Sequence, residues 1–290
     1  MRQLRFIIFL IATFFLCNQC SQKAGPGIAR SADGLKIHYT VYGKGETAIV
    51  LIHGWMCDQT YWKNQLDQLT ENYSVITVDL GGHGASGLER SAWTLDAFSD
   101  DVLAVIQKVN PDKIILTGHS MGGFVALKSA PRIADKLEGI ILVDSFHDIW
   151  WPIPDSVKRP VFEEYRKDFK NASYVYIYND MFPEDADSII RYQVAIDMSS
   201  GPADVGLGAL EDMWSGDYSE TIEKVIDLDV PVILINIEMW PTDLNAMNNF
   251  GFDVLTMDDV GHFLMLEDPD RFNILFDEAL KRVTEKAGTD

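Results

Sequence analysis

The sequence predicts an α/β fold, a mostly parallel sheet with helices on both faces, and three observations carry that expectation. Short Val- and Ile-rich runs with little polar alternation recur along the chain, as strands buried on both faces require. Amphipathic stretches separate them, which is the order of a parallel sheet joined by helical crossovers. The chain has 290 residues and is 47% hydrophobic, enough for one large core or for a core carrying an inserted segment.

Taken in order, Leu35–Tyr42 alternates as a hairpin strand would, Gly43-Lys44-Gly45 turns, and Ala48–Ile52 is a buried strand. A helical stretch is expected over Gln59–Leu69, with Tyr61, Trp62, Leu66 and Leu69 inward, then a strand at Val75–Val78. Thr94 caps a helix over Leu95–Val109, whose Leu95, Phe98, Val102, Val105, Ile106 and Val109 share one stripe. Strands follow at Ile114–Leu116, Ile140–Val143, Val232–Ile235 and Val254–Met257. Asp268 caps the last helix with Pro269 at its first position, burying Phe272, Leu275, Phe276 and Leu280. Residues 146–229 break the rhythm with many aromatics and irregular helical patterning, and read as a helical lid inserted between two core strands. The domain expectation is a core over 31–145 and 230–290 with that lid between its halves.

The N-terminus differs from the rest. Arg2 and Arg5 precede an apolar run from Phe6 to Leu16, too short to span a bilayer comfortably, so residues 1–20 read as an export signal. Cys20 sits where a lipid-modified cysteine would, which resembles the start of a bacterial lipoprotein, although Gln19 replaces the usual small residue. Membrane association through lipid on Cys20 is expected, with an uncleaved anchor or plain secretion as alternatives, and residues 21–30 as a tether. Of three cysteines, Cys17 and Cys20 belong to this leader, so Cys57 is left as a packing residue without a disulfide partner or a cysteine cluster for metal. A net charge of −20, more negative still without Arg2 and Arg5, repels phosphate backbones and argues against nucleic acid as a partner.

Chemistry concentrates at Gly118-His119-Ser120-Met121-Gly122, set between the strand-like Lys113–Thr117 and the small-residue stretch Gly123–Leu127. Glycines two residues either side of a serine fit a sharp strand-to-helix turn that exposes the hydroxyl, a nucleophile elbow. The next amide, that of Met121, would then face an oxyanion at a helix N-terminus. Serine needs a base. Among six histidines, His262 in Val260-Gly261-His262-Phe263 follows the last strand, where its loop carries the ring toward Ser120. His53 reads as a loop brace, His83 and His119 as turn residues, His38 as part of the edge hairpin and His147 as part of the lid.

Four motifs in order, His53-Gly54-Trp55, Asp79-x-x-Gly82-His83-Gly84-x-Ser86, the elbow at Ser120 and Gly261-His262, make residues 34–285 resemble the α/β-hydrolase superfamily, in its esterase- and lipase-like branch. The resemblance implies an eight-stranded sheet and a serine hydrolase acting on a small-molecule carboxylic ester without metal or organic cofactor. It implies Trp55 as the second oxyanion amide beside Met121. The triad acid is expected after the seventh strand, at Glu238 in Asn236-Ile237-Glu238-Met239-Trp240-Pro241-Thr242-Asp243, with Asp144 after the sixth strand as the alternative and Asp243 third. Carbon–carbon bond hydrolysis or perhydrolysis on the same triad stays open, as does a slow-turnover ligand receptor; a serine nucleophile argues against dehalogenase chemistry.

Overall fold

The computed structural model describes residues 25–147 and 153–287. The expected leader, with Arg2, Arg5, Cys17 and Cys20, and two of the aromatics of the inserted segment, Trp150 and Trp151, lie outside the described residues. In chain order the elements are β1 (Gly25–Arg30), β2 (Lys36–Tyr42), β3 (Thr47–Ile52), a 3-10 turn at Gln59–Trp62, α1 (Leu66–Leu69), β4 (Ser74–Val78), α2 (Leu95–Val109), β5 (Lys113–His119) and α3 (Met121–Ser129). They continue as a second 3-10 turn (Ala130–Ile133), β6 (Leu137–Val143), α4 (Asp155–Lys167), α5 (Phe169–Asp180), α6 (Ser188–Ser199), α7 (Ala203–Ser215) and α8 (Ser219–Ile226). The chain returns through β7 (Val232–Ile237), α9 (Leu244–Phe250), β8 (Asp253–Met257), α10 (Leu264–Glu267) and α11 (Pro269–Ala287).

The eight strands form one sheet in the order β1-β2-β4-β3-β5-β6-β7-β8. β1 and β2 pair antiparallel at one edge and every pair from β4 to β8 is parallel. This is the fold class expected from the uninterrupted aliphatic runs: Ile49, Val50, Leu51 and Ile52 in β3, and Ile140 to Val143 in β6, are all fully buried. Helix α2 starts where Thr94 accepts the amide of Ala97, and α11 where Asp268 accepts that of Arg271. Gly139 lets α11 approach β6, since a Cβ there would lie 2.6 Å from Val283 Cγ1.

Two elements differ from expectation. Residues 21–30 were expected as a tether, but Gly25–Arg30 is the first strand, paired with β2 from Gly25–Val41 to Arg30–Lys36. Its Gly-Pro-Gly start looks like loop, yet proline is tolerated on an edge strand. Gly27 is needed because a Cβ would lie 2.4 Å from the ring of Tyr39. The helix expected over Gln59–Leu69 is split, because Asp58 caps a 3-10 turn and α1 begins only at Leu66.

Five helices, α4 to α8, stand between β6 and β7. They pack on the loops at the C-terminal ends of the strands: Gly206 meets Phe169 and Met56, Val205 meets Gly82, and Phe182 stacks on Phe263 at 5.3 Å. Those strand ends and helices enclose the site.

Candidate active site

Ser120 ends β5 and begins α3 with φ 52°, ψ −121°, a conformation an L-residue holds only under constraint. The constraints are visible. A Cβ on Gly118 would lie 2.1 Å from Gly122 O, and one on Gly122 would lie 2.5 Å from Ile52 O and 2.6 Å from His53 O. Glycine at both positions therefore lets the start of α3 close onto β5 and onto the end of β3. Ser120 N donates to Val143 O at 2.9 Å, and Ser145 Oγ donates to Ser120 O at 2.8 Å, which ties the elbow to β6 and the loop after it. Met121 is the first residue of α3, whose opening amides have no carbonyl one turn earlier to accept them.

The contact of α3 with Ile52 O and His53 O brings the Gly54-Trp55 segment beside the elbow. Gly54 is required there, because a Cβ would lie 2.8 Å from His119 Nδ1 and 3.3 Å from Ser120 Cβ. Trp55 is buried and its indole donates to Gly206 O at 2.8 Å, so the residue expected to supply an oxyanion amide is pinned by α7. His53 braces this loop as expected: Nε2 accepts Leu80 N at 3.1 Å and Nδ1 donates to Gly54 O at 2.8 Å. One accepting and one donating nitrogen mean a neutral ring, and burial pushes its pKa down to about 4. Cys57 is a buried free thiol whose Sγ donates to Trp55 O, so it packs behind the motif.

His262 is buried between β8 and α10. Its amide donates to Met181 O at 2.8 Å, and its carbonyl accepts His119 Nε2 at 2.8 Å. His119 is neutral, its pKa pushed down to about 3 by burial and by the neighbouring His262. The loop is gripped from below by Glu267, which accepts Gly261 N at 3.0 Å and Phe263 N at 3.2 Å. Burial, reinforced by the charge of Asp144 and opposed by those two amides, pushes the Glu267 carboxyl up to about 7.

The carboxylate that meets His262 is Asp144, 2.6 Å from Nδ1 through Oδ2. This corrects the expected choice of Glu238, which is exposed beyond the end of β7 with its amide on Met257 O. Asp243, the third choice, caps α9 by accepting the amides of Asn245 and Ala246. The physical reason lies in the sheet: β6 and β7 are paired neighbours, Val143 opposite Ile235, so either strand end can reach one histidine. Asp144 is turned in by φ 43° and held there, its amide on Ile235 O and its Oδ1 accepting Ile237 N at 3.0 Å. Burial alone would raise its pKa, but the neighbouring imidazoles of His147 and His262 overcome this and hold the carboxyl well below the usual range. With Nδ1 donating to Asp144, His262 presents Nε2 as its accepting nitrogen.

His147 was not singled out from the sequence. Its Nε2 lies 3.1 Å from Asp144 Oδ1, three residues along the chain, and the only sequence signal was that spacing after a strand end. Of the seven non-glycine residues with positive φ among those described, Met56, Ser120, Asp144 and Phe146 lie at this site.

A cavity of about 210 Å³ opens over the strand ends. Ser120, Asp144, Ser145, His147 and His262 form its polar end, and Trp55, Phe124, Phe146, Tyr165, Tyr176, Leu210 and Trp240 are among its apolar walls. Among the described residues, lysine and arginine are absent from this lining. Among the described residues no group of three or more His, Cys, Asp or Glu could hold a metal ion. A second, more open cleft of about 370 Å³ lies between the 3-10 turn at Gln59–Trp62 and α6, away from Ser120.

Comparison with known proteins supports the fold. A 136-residue stretch is 32% identical to the dihydrolipoyllysine-residue acetyltransferase component of the acetoin cleaving system of Pseudomonas putida, 46% of this chain and 37% of that one. Over 142 residues the chain is 31% identical to the pimeloyl-[acyl-carrier protein] methyl ester esterase of Yersinia enterocolitica, 47% of this chain and 53% of the esterase. The matches thus span about a third to a half of these curated relatives. A thermophilic esterase from Thermogutta terrifontis superposes with a TM-score of 0.78 over 90% of this chain and 99% of its own, at 24% identity, which is a likeness of fold. The model of the alpha/beta hydrolase family matches residues 49–274, a span that takes in Gly54-Trp55, the turn at Ser120 and His262, and the chain belongs to that family.

Proposed function

We propose that this chain is a serine hydrolase that cleaves carboxylic esters of small to medium apolar acyl or aryl groups through an acyl-enzyme. The observation that carries the reading is the 2.6 Å bond from His262 Nδ1 to Asp144, with His262 and the strained Ser120 lining one cavity. Ser120 Oγ attacks the ester carbonyl carbon while His262 Nε2 takes its proton, and Asp144 stabilises the resulting imidazolium. The amides of Trp55 and Met121 receive the negative oxygen. Collapse of the tetrahedral intermediate breaks the bond to the alcohol oxygen, to which His262 returns the proton. Water then enters and attacks the acyl carbon as it gives its proton to His262; collapse breaks the bond to Ser120 Oγ, which takes that proton back from His262 as the acid leaves.

Substrate class follows from the walls. A cavity of about 150 Å³ suffices for benzene in an apolar site, so about 210 Å³ has room for a single ring or short acyl chain. With no lysine or arginine among the described lining residues and Asp144 ionised at its end, a negatively charged acyl group would be repelled. The partial likeness to a methyl ester esterase supports ester cleavage.

A fluorophosphonate probe should label Ser120, and an ester panel of graded acyl length should show burst acylation that declines beyond short or single-ring acyl groups. Ser120→Ala should lose both labelling and turnover. Retained esterase activity with labelling at another serine would overturn the assignment, and ligand binding with no burst would favour a receptor. Export and lipid anchoring are proposed from residues 1–20 alone; detergent-phase partitioning of wild type and Cys20→Ser tests them. Among the described residues no helix is long and apolar enough to cross a membrane.

A further inference from the structure

Asp144 carries two imidazoles. While Oδ2 meets His262 at 2.6 Å, Oδ1 meets His147 Nε2 at 3.1 Å and Ile237 N at 3.0 Å. A carboxylate oxygen only accepts, so a proton on Nε2 is what makes this close contact attractive, although that N–H is not aimed along a hydrogen bond to Oδ1. The other side of the ring has a partner as well: Thr242 Oγ1 lies 3.3 Å from His147 Nδ1 and accepts Asn236 Nδ2 at 2.9 Å, leaving its own proton to point at Nδ1. Asn236, Thr242, His147, Asp144 and His262 therefore form one connected line of polar contacts, with the His147 ring between Thr242 and Asp144. Asn236 Oδ1 closes the network on Ser145 N at 3.3 Å. Trp240 packs on both imidazoles, 6.0 Å from His147 and 5.1 Å from His262, and the amide of Asp243 fixes the His147 carbonyl at 2.8 Å. The segment from Asn236 to Asp243, expected to supply the acid, instead supplies the frame for a second histidine.

We infer that His147 is a positioning residue that sets the basicity of His262 through their shared carboxylate. This rests on the reading of His262 as the base. An Nε2–H dipole 3.1 Å from Oδ1 draws charge toward that oxygen, so less is available at Oδ2 to stabilise the His262 imidazolium; the ring beside it also hinders the carboxylate from rotating away from the Nδ1 proton. Removing the donor makes His262 more basic and less well oriented. The other titratable groups packed around His262 among the described residues leave this control to Asp144 and His147. His119 is neutral and donates to the His262 carbonyl, Glu267 bonds the amides of Gly261 and Phe263, and the Tyr165 and Tyr176 phenols are pushed up by burial. The Asp243 carboxylate is engaged at the start of α9.

The test is a pair of variants read two ways. His147→Leu removes the donor; His147→Gln places an amide N–H at about the reach of the imidazole Nε2 and cannot titrate. In the free protein, NMR titration of the His262 ring should show its pKa raised by roughly half a unit or more in His147→Leu. In His147→Gln it should stay at the wild-type value. With an activated ester, kcat should fall about tenfold in the leucine variant with KM little changed, recover in the glutamine variant, and the acid limb of kcat/KM should move up only in the former. An unchanged His262 titration in His147→Leu, or equal shifts in both variants, overturns the inference. The NMR titration needs no substrate, so absence of ester turnover would count against the proposed function and leave this result readable.

Discussion

The elbow between β5 and α3 and the loop from Glu238 to Asp243 between β7 and α9 both lie at the C-terminal edge of the sheet, but different forces hold them. The elbow is fixed by sterics of the backbone: Gly118 and Gly122 are required because Gly122 O and Ile52 O stand 2.1 and 2.5 Å from where their Cβ atoms would be. The β7 loop is fixed by side chains: Asn236 bonds Thr242, Thr242 reaches His147, and Asp243 caps α9. Close backbone approach admits one residue type at a set spacing, whereas a polar network can be built from many residues on either of two neighbouring strands. The first kind of loop is written in the sequence, and the second has to be seen.

The sharpest way to break this comparison is to exchange the two candidate carboxylates for amides. Asp144→Asn keeps the shape but lets an N–H face His262 Nδ1, which drives the ring to the wrong tautomer. We expect kcat to fall by about a thousandfold or more with KM little changed, measured on an activated ester. A loss of tenfold or less would return the acid to the β7 loop.

The elbow is tested by crowding it. Gly122→Ala drives a methyl into Ile52 O and His53 O, both backbone atoms of a fully buried strand end that cannot swing aside. Overpacking of this kind costs about 2–3 kcal/mol, a fall in Tm of roughly 5 °C for a chain of this size. The displaced start of α3 should also lower kcat about a hundredfold, because the nucleophile moves relative to the oxyanion amides. Unchanged Tm and kcat would mean that the close approach is not what holds the elbow.

These contrasts explain what could be read from residues alone. The parallel order followed from the Val and Ile runs, the start of α2 from Thr94, and Ser120 and His262 from a steric turn and from its position after the last strand. Asp144 and His147 were harder to place because their partners, Ile237, Thr242 and His262, are 93 to 118 residues away along the chain and meet them only across the β6–β7 pairing. β1 was hidden by a Gly-Pro-Gly start whose glycine is explained only by the ring of Tyr39 behind it.

The His262 loop combines both kinds of restraint, and pH separates them. Glu267 grips the amides of Gly261 and Phe263, and its carboxyl is raised from 4.5 to about 7 by burial. A raised pKa means that the folded protein binds this proton more tightly than the unfolded chain, so the stability it contributes is complete below about pH 4.5 and is lost as pH rises toward about 7. Thermal midpoints of wild type and Glu267→Gln across that window should therefore show wild type losing ground to the variant as pH rises. Parallel curves would show that the carboxyl titrates alike in both states.

The smallest effect is expected where the sequence expectation was greatest. Glu238 stands in the slot that the resemblance assigns to the acid, yet its side chain is exposed, and the nearest end of β7 is occupied by Ile237 N donating to Asp144. Removing its charge leaves every bond to His262 in place. The Asn236–Thr242–His147 network is likewise untouched, because it runs through side chains on either side of residue 238. Surface substitutions away from caps and buried partners change stability by about half a kcal/mol or less. Glu238→Gln should accordingly keep kcat within about twofold and leave the acid limb of kcat/KM where it was, since an exposed, solvent-screened charge adds little to the His262 field. A hundredfold loss in this variant, with Asp144→Asn mild, would place the working carboxylate on β7 and make the 2.6 Å contact of Asp144 a brace.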